Sequence, residues 1–442
     1  MTDIPGRTDP NPSALSLDDW LERISHRHPR AIDLGLDRVG AVWQRMGLTL
    51  HAAVITVGGT NGKGSCVAML ESMLRAGGYR VATYTSPHLL RFNERVRVDG
   101  VEVDDRTLCR AFEAVESARG EDSLTYFEHV TLAAFWVFAR AALEVVVLEV
   151  GLAGRLDAVN VLDADVALVS SVDLDHQEWL GPDRDSIGRE KAGIFRSGRA
   201  AVFGGEDPPA GLIDHADRLG ARLLLAGRDF RARLRDGDWD WEGLGRQRLG
   251  LPLPALRGSF QVRNAAAAIA AIEAVADRLP LSTVALREGL LGVRLPGRFE
   301  VFPGPITLIF DVAHNPEAAR GLAENLARHA AEGGRTLAVF SMLRDKDITG
   351  VVRTLAPLVT AWFYAPLDGE RAATREELRE HLAAAGVGAV AHGHPNLVAA
   401  LAAAGAAARH GDRILVFGSF YTVAMLLPLA RAAARAPGRP LV

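Results

Sequence analysis

Nearly continuous apolar runs, rather than strict alternation, mark the strands that this sequence predicts. Ala52–Gly58, Val145–Val150 and Val166–Val172 are such runs, and Arg80–Thr85 reads as a further strand. Strands with this pattern are buried on both faces, which is typical of a parallel sheet covered by helices. The sequence therefore predicts a sheet with two buried sides.

Helical spacing of apolar residues falls between these strands. One helix follows the first strand and is closed by Gly77-Gly78, and Leu124–Ala142 and the alanine-rich Asn264–Ala276 predict two more. Strands that alternate with helices predict an α/β fold. The pattern is weaker between residues 201 and 258, where alternation in Asp238–Trp241 predicts an antiparallel hairpin region at one edge.

A second alternation of strands and helices begins after Leu295–Arg298, which has the composition of a hinge. It includes a predicted helix at Ala399–Ala408, since alanine is the strongest helix former. The predicted strands are Ile306–Val312, Thr336–Ser341, Ala361–Ala365 and Arg413–Gly418. This pattern predicts a smaller, Rossmann-like α/β domain at residues 297–442, after a first domain at residues 1–296.

Composition narrows the class of protein. The chain has 442 residues, 48% of them hydrophobic, which suits two or three domains with full cores. Its net charge of -4 gives no reason to expect nucleic acid or an anionic membrane as partner. Two cysteines, Cys66 and Cys109, cannot form a disulfide framework. With no signal peptide or membrane span in the sequence, we expect a monomeric, cytoplasmic protein.

Lysine is rare in this chain. Of 50 basic residues only Lys63, Lys191 and Lys346 are lysine, and the other 47 are arginine. Only lysine has an amine that can lose its proton and react. The three lysines are therefore candidates for sites that need a primary amine, and chance retention on a solvated face is the alternative.

A glycine-rich loop joins the first predicted strand to its helix, with the sequence Gly59, Thr60, Asn61, Gly62, Lys63, Gly64 and Ser65. Backbone N–H groups at a helix N-terminus bind phosphate. Lys63 is expected to reach the β- and γ-phosphates of ATP, and the Ser65 hydroxyl to ligate Mg²⁺. The loop departs from the general P-loop pattern at Val57 and Gly64. The alternative is a glycine-rich turn without a ligand, which the flanking strand and helix and the retained lysine disfavour.

Three possible metal ligands follow three predicted parallel strands. Ser86 follows the strand that ends at Thr85, Glu149 ends another, and His176 follows a third. Ligands bind beyond the carboxyl ends of such strands, so the three side chains are expected at one rim with the loop. Hydroxyl and carboxylate oxygens with an imidazole can share Mg²⁺, although each residue alone is more often structural.

Lys191 lies just beyond the His176 segment. A solvated helix charge is one interpretation. A neutral lysine amine can also take up CO₂, and the resulting carbamate would place an anion beside Mg²⁺. Arginine does not do this.

Several stretches of this sequence resemble those of one protein family. The chain is similar to the dihydrofolate synthase/folylpolyglutamate synthases, the folate branch of the Mur-ligase superfamily, from about residue 32 to residue 423. The resemblance rests on ten strings, of which the longest are IDLGLDRV (32–39), TVGGTNGKGS (56–65), YTSPHLLRFNERVRV (84–98), LEVGLAGRLDAVN (148–160) and DHQEWLGPDRDSIGREKAGIF (175–195). Ala153, where glycine is usual, and Cys66, where threonine is common, depart from the family pattern.

The resemblance implies an α/β fold, with a P-loop ATPase domain of Mur-ligase type followed by the smaller Rossmann-like domain. It implies an ATP-dependent ligase that adds L-glutamate to dihydropteroate, and further glutamates to tetrahydrofolate, through an acyl phosphate. It implies one or two Mg²⁺ ions on Ser86, Glu149 and His176, and a carbamate on Lys191. The implied nucleotide residues outside the loop are Asn264, Arg298 and Asp311. The implied pterin-substrate residues are Ile32, Asp33, Leu34, Gly35, Thr125, Tyr126, Phe127, Glu128, Leu156, Asp157 and Ala158.

The residue types give weaker, independent support for some of these assignments. Phe127 offers a ring face for stacking on a flat heterocycle, and Asp157 a carboxylate for its N–H groups. On composition alone, a core phenylalanine and a turn aspartate are the better interpretation. His314, close to Asp311, is a candidate contact to the glutamate or the acyl phosphate.

Two other functions stay open from the sequence. A Mur-type ligase for a peptidoglycan precursor would need a nucleotide-sugar domain before the loop, where only 58 residues precede Gly59. A P-loop NTPase that serves as a switch would not need the second α/β domain or the set of Glu149, His176 and Lys191.

Overall fold

A computed structural model describes residues 15–30, 32–329 and 334–435. The strands before the predicted hinge are β1 (Ala53–Gly58), β2 (Val81–Tyr84), β3 (Val96–Val98), β4 (Val101–Glu102), β5 (Val145–Glu149), β6 (Val166–Val169), β7 (Ala200–Phe203), β8 (Arg222–Leu225), β9 (Phe230–Leu234), β10 (Asp238–Gly243) and β11 (Arg246–Pro252). The α-helices there are α1 (Leu17–Ser25), α2 (Asp37–Met46), α3 (Lys63–Ala76), α4 (Asp105–Arg119), α5 (Tyr126–Arg140), α6 (Gln177–Leu180), α7 (Arg184–Ala192), α8 (Ala210–Leu219), α9 (Ser259–Ala274) and α10 (Thr283–Gly292). Short 3₁₀ helices span Phe92–Arg95 and Ala158–Val161.

Eight strands form the larger sheet, in the order β4-β3-β2-β5-β1-β6-β7-β8. The six strands from β2 to β8 in this order are parallel, and β3 and β4 add an antiparallel edge. β1 therefore lies between β5 and β6. The carboxyl ends of β2, β5, β1 and β6 consequently lie side by side at one rim.

The apolar runs produce two cores, one on each face of this sheet. In β5, Val146 and Leu148 pack into one core while Val145 and Val147 pack into the other. Successive side chains of a strand point to opposite faces, so a continuous apolar run buries both. The predicted sheet with two buried sides is confirmed.

The second sheet is built from the remainder of the chain. Its strands are β12 (Glu300–Phe302), β13 (Thr307–Asp311), β14 (Thr336–Phe340), β15 (Ala361–Tyr364), β16 (Ala391–Gly393) and β17 (Arg413–Phe417), in the order β12-β13-β17-β14-β15-β16. Only β12 is antiparallel to its neighbour. Its helices are α11 (Pro316–Arg328), α12 (Ile348–Leu355), α13 (Arg375–Ala384), α14 (Leu397–Ala407) and α15 (Phe420–Arg435), with 3₁₀ helices at Ala356–Leu358 and Gly388–Val390.

Several predicted elements differ from the observed ones. The strand predicted to reach Val172 ends at Val169, because the chain then turns toward the loop. The helix predicted from Asn264 begins at Ser259, after Gly258 with a φ of 129°. The predicted hairpin is a separate three-stranded sheet, β11-β10-β9, and β7 and β8 were not predicted. Of the described helices, none is both long and apolar enough to cross a membrane.

Candidate active site

The glycine-rich loop lies between β1 and α3, and two of its glycines are needed for close packing. A Cβ on Gly59 would lie 2.0 Å from the Ser170 hydroxyl oxygen, and one on Gly62 would lie 2.8 Å from Oδ1 of Asn264. Both glycines have positive φ, of 141° and 84°. Such backbone conformations are open mainly to glycine. The loop thus has the shape that a phosphate site requires, with α3 starting at Lys63.

Asn264 does lie against the loop, as predicted. It belongs to the N-terminal part of α9, where its Nδ2 donates to Oε1 of Gln261 at 3.1 Å. Gln261 in turn donates to the hydroxyl of Ser65 at 3.3 Å. Gln261 was not predicted, because the sequence placed the start of this helix five residues too late.

Two of the three lysines converge on one carbonyl oxygen. Nζ of Lys63 donates to the oxygens of Gly59 and Thr60 at 3.0 and 3.2 Å, and Nζ of Lys191 donates to Gly59 at 3.1 Å. Lys191 is buried, at 5% exposure. Burial, with a smaller contribution from Lys63, lowers the pKa of Lys191 to about 7. A substantial fraction of this amine is therefore neutral near pH 7.

The predicted metal ligands lie at the same rim. Ser86 follows β2, and its backbone N–H donates to Oε2 of Glu149, the last residue of β5, at 3.2 Å. Burial raises the pKa of Glu149, and the charge of Lys63 opposes that shift. His176 adopts a left-handed conformation, with φ of 53°, at the start of α6, and burial lowers its pKa to about 4. All three residues line one cleft.

The second sheet supplies the opposite wall. The guanidinium carbon of Arg298 lies 4.9 Å from the centre of the Phe420 ring. Burial lowers the pKa of Arg298. The carboxylate of Asp311, at the end of β13, accepts from the backbone N–H groups of Phe299 and Ala313 at 2.9 and 2.8 Å. Burial lowers the pKa of His314 to about 4, and its Nδ1 lies 2.9 Å from the carbonyl oxygen of Val312.

Side-chain contacts connect the two walls. The amides of Asn61, in the loop, and Asn315, which caps α11, donate to each other at 3.1 Å. Nζ of Lys346 lies 2.8 Å from Oδ1 of Asp175, next to His176, and the Lys346 side chain is only 8% exposed. His176 and Lys346 lower the pKa of Asp175 although burial acts to raise it. The third lysine is thus also at the site, a placement that the sequence did not predict.

The walls enclose a cavity of about 950 Å³. The predicted loop, metal and nucleotide residues all line it, as do Lys191 and His314. Among the described residues, no three His, Cys, Asp or Glu side chains lie close enough to form a metal cage from protein ligands alone.

The predicted pterin-substrate segments converge beside this cavity rather than on its lining. Arg38, which was not predicted, joins two of them, because it lies 3.1 Å from Oδ2 of Asp33 and 3.0 Å from Oε1 of Glu128. The ring of Phe127 packs against Gly151 so closely that a Cβ on Gly151 would lie 2.5 Å from Cζ of Phe127. Gly151 lines the cavity, so Phe127 packs next to a lining residue.

Asp157 has a structural role in this conformation. It is buried, and its carboxylate accepts from the backbone N–H groups of Leu152 and Val159 at 2.9 and 3.0 Å. Burial raises its pKa to about 6. The remaining lone pairs leave room for a ligand N–H.

Ala153, the departure from the family pattern, has a left-handed backbone with φ of 64° and is buried at 2% exposure. Glycine adopts this conformation without the clash of a Cβ. The turn between Glu149 and Asp157 therefore carries local strain.

Two domain models and several known proteins match this chain. Residues 57–272 match the model of the Mur ligase middle domain, and residues 297–420 match that of the Mur ligase glutamate ligase domain. The dihydrofolate synthase/folylpolyglutamate synthase of Escherichia coli strain K12 is 46% identical over 421 residues, covering 95% of this chain and 97% of that protein. The chain belongs to the dihydrofolate synthase/folylpolyglutamate synthase family.

Solved structures of family members share the whole fold. E. coli FolC in complex with DHPP and ADP superposes with a TM-score of 0.90 at 45% identity, covering 95% of this chain and 98% of that one. A bifunctional folylpolyglutamate synthase/dihydrofolate synthase with Mn, AMPPNP and L-glutamate bound gives a TM-score of 0.87 at 44% identity, covering 94% and 98%. The α/β fold of Mur-ligase type and the class of acid–amino-acid ligase are thereby confirmed.

Proposed function

We propose that this chain uses ATP to join L-glutamate to 7,8-dihydropteroate, forming dihydrofolate and ADP, and that it adds further glutamates to tetrahydrofolate. The cleft carries this proposal, because it places the phosphate loop and Glu149 opposite Arg298 and His314. The relatives' bound DHPP, ADP and L-glutamate support it. Residues 1–296 and 297–442 act as the two domains, and the cytoplasmic location and monomeric state stay predictions.

The nucleotide lies along the loop. Backbone N–H groups and the start of α3 bind the phosphates, and Lys63 leaves the carbonyls of Gly59 and Thr60 to contact them. Asn264 contacts the loop from α9, while Arg298 and Asp311 complete the site from the second domain.

Ser86, Glu149 and His176 would hold Mg²⁺. Burial raises the pKa of Glu149, and the positive charge of Lys63 is the largest influence that lowers it. A second positive charge, such as Mg²⁺, would also favour the ionised carboxylate, which is an oxygen ligand that hard cations prefer. The absence of a protein-only cage among the described residues also fits, because Mg²⁺ is usually bound by one or two carboxylates, water and substrate phosphates. When bound, the ion neutralises charge on the phosphates.

The chemistry needs two displacements. A carboxylate oxygen of the acid attacks the γ-phosphorus and the bond to ADP breaks, which gives an acyl phosphate. The amine of L-glutamate then attacks the acyl carbon, phosphate leaves with the original carboxylate oxygen, and the amine proton is released. Arg298 and His314 cover the cleft from the second domain and exclude water from the acyl phosphate.

Lys191 is proposed to carry a carbamate. Its amine adds to CO₂ and releases one proton, which requires the neutral form. The pKa of about 7 makes that form available. The carbamate would replace a buried cation with an anion that faces the metal site.

The acid substrate is proposed to bind along the segments 32–35, 125–128 and 156–158. Phe127 supplies a ring behind Gly151, and Asp157 and Asp33 supply acceptors for pterin N–H groups. Gly151–Ala153 line the cavity next to this region.

A glutamate-dependent ADP-release assay with dihydropteroate and tetrahydrofolate in parallel tests the function. We expect stimulation by both acids. No stimulation by either acid would show that the substrate assignment is wrong, and ADP release without glutamate would favour an NTPase.

A further inference from the structure

The Arg95 side chain lies at the cleft, and none of the described residues provides it with a carboxylate within ion-pairing distance. Arg95 ends the 3₁₀ helix Phe92–Arg95, is 8% exposed and lines the cavity. Its Nε donates to Nδ1 of His88 at 2.9 Å. Within the described part of the chain, the other two guanidinium nitrogens make no hydrogen bond, and no carboxylate oxygen lies within 4.0 Å of the group. A guanidinium whose two terminal nitrogens have no protein partner can donate both to a bound anion, so a ligand anion fits this position.

The strand order shows which ligand is within reach. At the common rim the sequence of groups is Arg95 before β3, Ser86 after β2, Glu149 at the end of β5, and then the phosphate loop after β1. Arg95 is thus on the side of the candidate metal ligands that is remote from the phosphate loop. This position disfavours the nucleotide phosphates as its partner.

The surroundings of Arg95 on its other side include the segment that is proposed to bind the acid substrate. Its guanidinium carbon lies 5.8 Å from the centre of the Tyr126 ring and 5.7 Å from that of Phe92. Tyr126 begins α5 and adjoins Phe127, which is proposed to stack on the pterin. An acid that extends from this segment to the metal ligands passes Arg95. The hydrogen bond to His88 holds Nε of Arg95 in place. The two terminal nitrogens stay available to donate side by side to one ligand.

We propose that Arg95 binds the carboxylate of the acid substrate and holds it for phosphorylation. This inference rests on the proposed function and names a residue of its acid site. A guanidinium fork donates two parallel hydrogen bonds to a carboxylate, which fixes the orientation of both oxygens. His88 is the positioning residue for this fork.

A cycle of two ligands and two proteins tests the assignment. The ligands are dihydropteroate and the same molecule without its carboxyl group, each titrated calorimetrically into the full chain with ADP. The proteins are the wild type and Arg95→Gln. Arg91→Gln is the matched control, because Arg91 lies in the same segment, its side chain is 64% exposed, and it contacts Asp105.

The wild type and Arg91→Gln should lose about 10- to 150-fold in affinity when the carboxyl group is removed, as for charged hydrogen bonds. Arg95→Gln should bind both ligands within about 3-fold, and Arg95→Lys, which retains charge without the fork, should fall between. The KM for ATP and for L-glutamate should stay unchanged.

Three results would overturn the assignment. Undiminished discrimination between the ligands by Arg95→Gln would show that another group binds the carboxylate. A rise in the KM for ATP alone would assign Arg95 to the nucleotide. If the wild type bound neither ligand, the proposed function would be wrong as well. The first two results, in contrast, contradict only the role of Arg95.

Discussion

The lysines at the glycine-rich loop of the cleft and the arginines of the outer surface have different hydrogen-bond partners. On the surface, Arg233 lies 3.1 Å from Glu242 and Arg228 lies 2.8 Å from Asp229. In the cleft, Lys63 and Lys191 donate to backbone carbonyls instead. Partial negative charge on a carbonyl compensates a cation less than a carboxylate does. The difference indicates that Lys63 receives its counter-charge from bound phosphates, whereas cleft arginines such as Arg184 and Arg320 pair with acids.

Lys63→Ala should cause the largest loss of activity. Without this charge, the γ-phosphate keeps its repulsion toward the attacking carboxylate, and kcat should fall by about 10³-fold. Lys63→Arg should not restore it, because the planar guanidinium does not fit a point-charge site. Glutamate-dependent ADP release measures the loss, and an unchanged melting temperature serves as the folding control. Retention of half the activity would contradict this role.

Lys191→Ala should lower kcat by about 10²-fold, with partial rescue by acetate or formate that substitutes for the carbamate. For the wild type at fixed dissolved CO₂, activity should rise as pH increases through 7, because a pKa of about 7 gives the neutral amine above that pH. Steady-state rates with and without CO₂ removal measure this. Unimpaired activity of the variant would exclude the carbamate.

Lys346→Met removes a buried cleft cation that pairs with an acid of the other domain. Asp175 then loses its partner, and kcat/KM should fall by about 10-fold as closure weakens. In a double-mutant cycle with Asp175→Asn, the two losses should be less than additive, since both remove one contact. Strict additivity would show that the ion pair does not contribute to activity.

Ala153→Gly tests the strain of the cleft rather than its charge. Since Ala153 has a φ of 64°, glycine should raise the free energy of unfolding by about 1 kcal/mol. Urea unfolding at equilibrium measures the change. A destabilised variant would mean that contacts of the alanine methyl group outweigh the strain.

Arg233→Ala should have the smallest effect. Its side chain is 61% exposed, and exposed ion pairs contribute about 0–1 kcal/mol. Activity should equal that of the wild type, measured in the same ADP-release assay. A loss comparable to that of Lys346→Met would mean that surface and cleft cations are not functionally distinct.

The rim of the first sheet was predictable from the sequence for a geometric reason. Parallel strands bring their carboxyl ends together, so Ser86, Glu149 and His176 could be placed near the loop without knowing any contact. The strands themselves were visible because their apolar runs are buried on both faces.

What could not be predicted depends on packing between distant segments. The pairing of Lys346 with Asp175 arises only when the two domains meet, and no local pattern encodes it. The bridge of Arg38 between Asp33 and Glu128 likewise joins residues separated by about 90 positions. Gln261 was missed because helix starts are hard to locate where, as at Gly258, no capping side chain is present.

The proposed reaction begins when the cleft forms an acyl phosphate from ATP and a carboxylate. The most direct measurement uses dihydropteroate labelled with ¹⁸O in its carboxylate and follows the phosphate released in the presence of L-glutamate. Each released phosphate should contain one labelled oxygen, because phosphate leaves with an oxygen of the acid. Unlabelled phosphate, released as fast as ADP, would contradict this reaction.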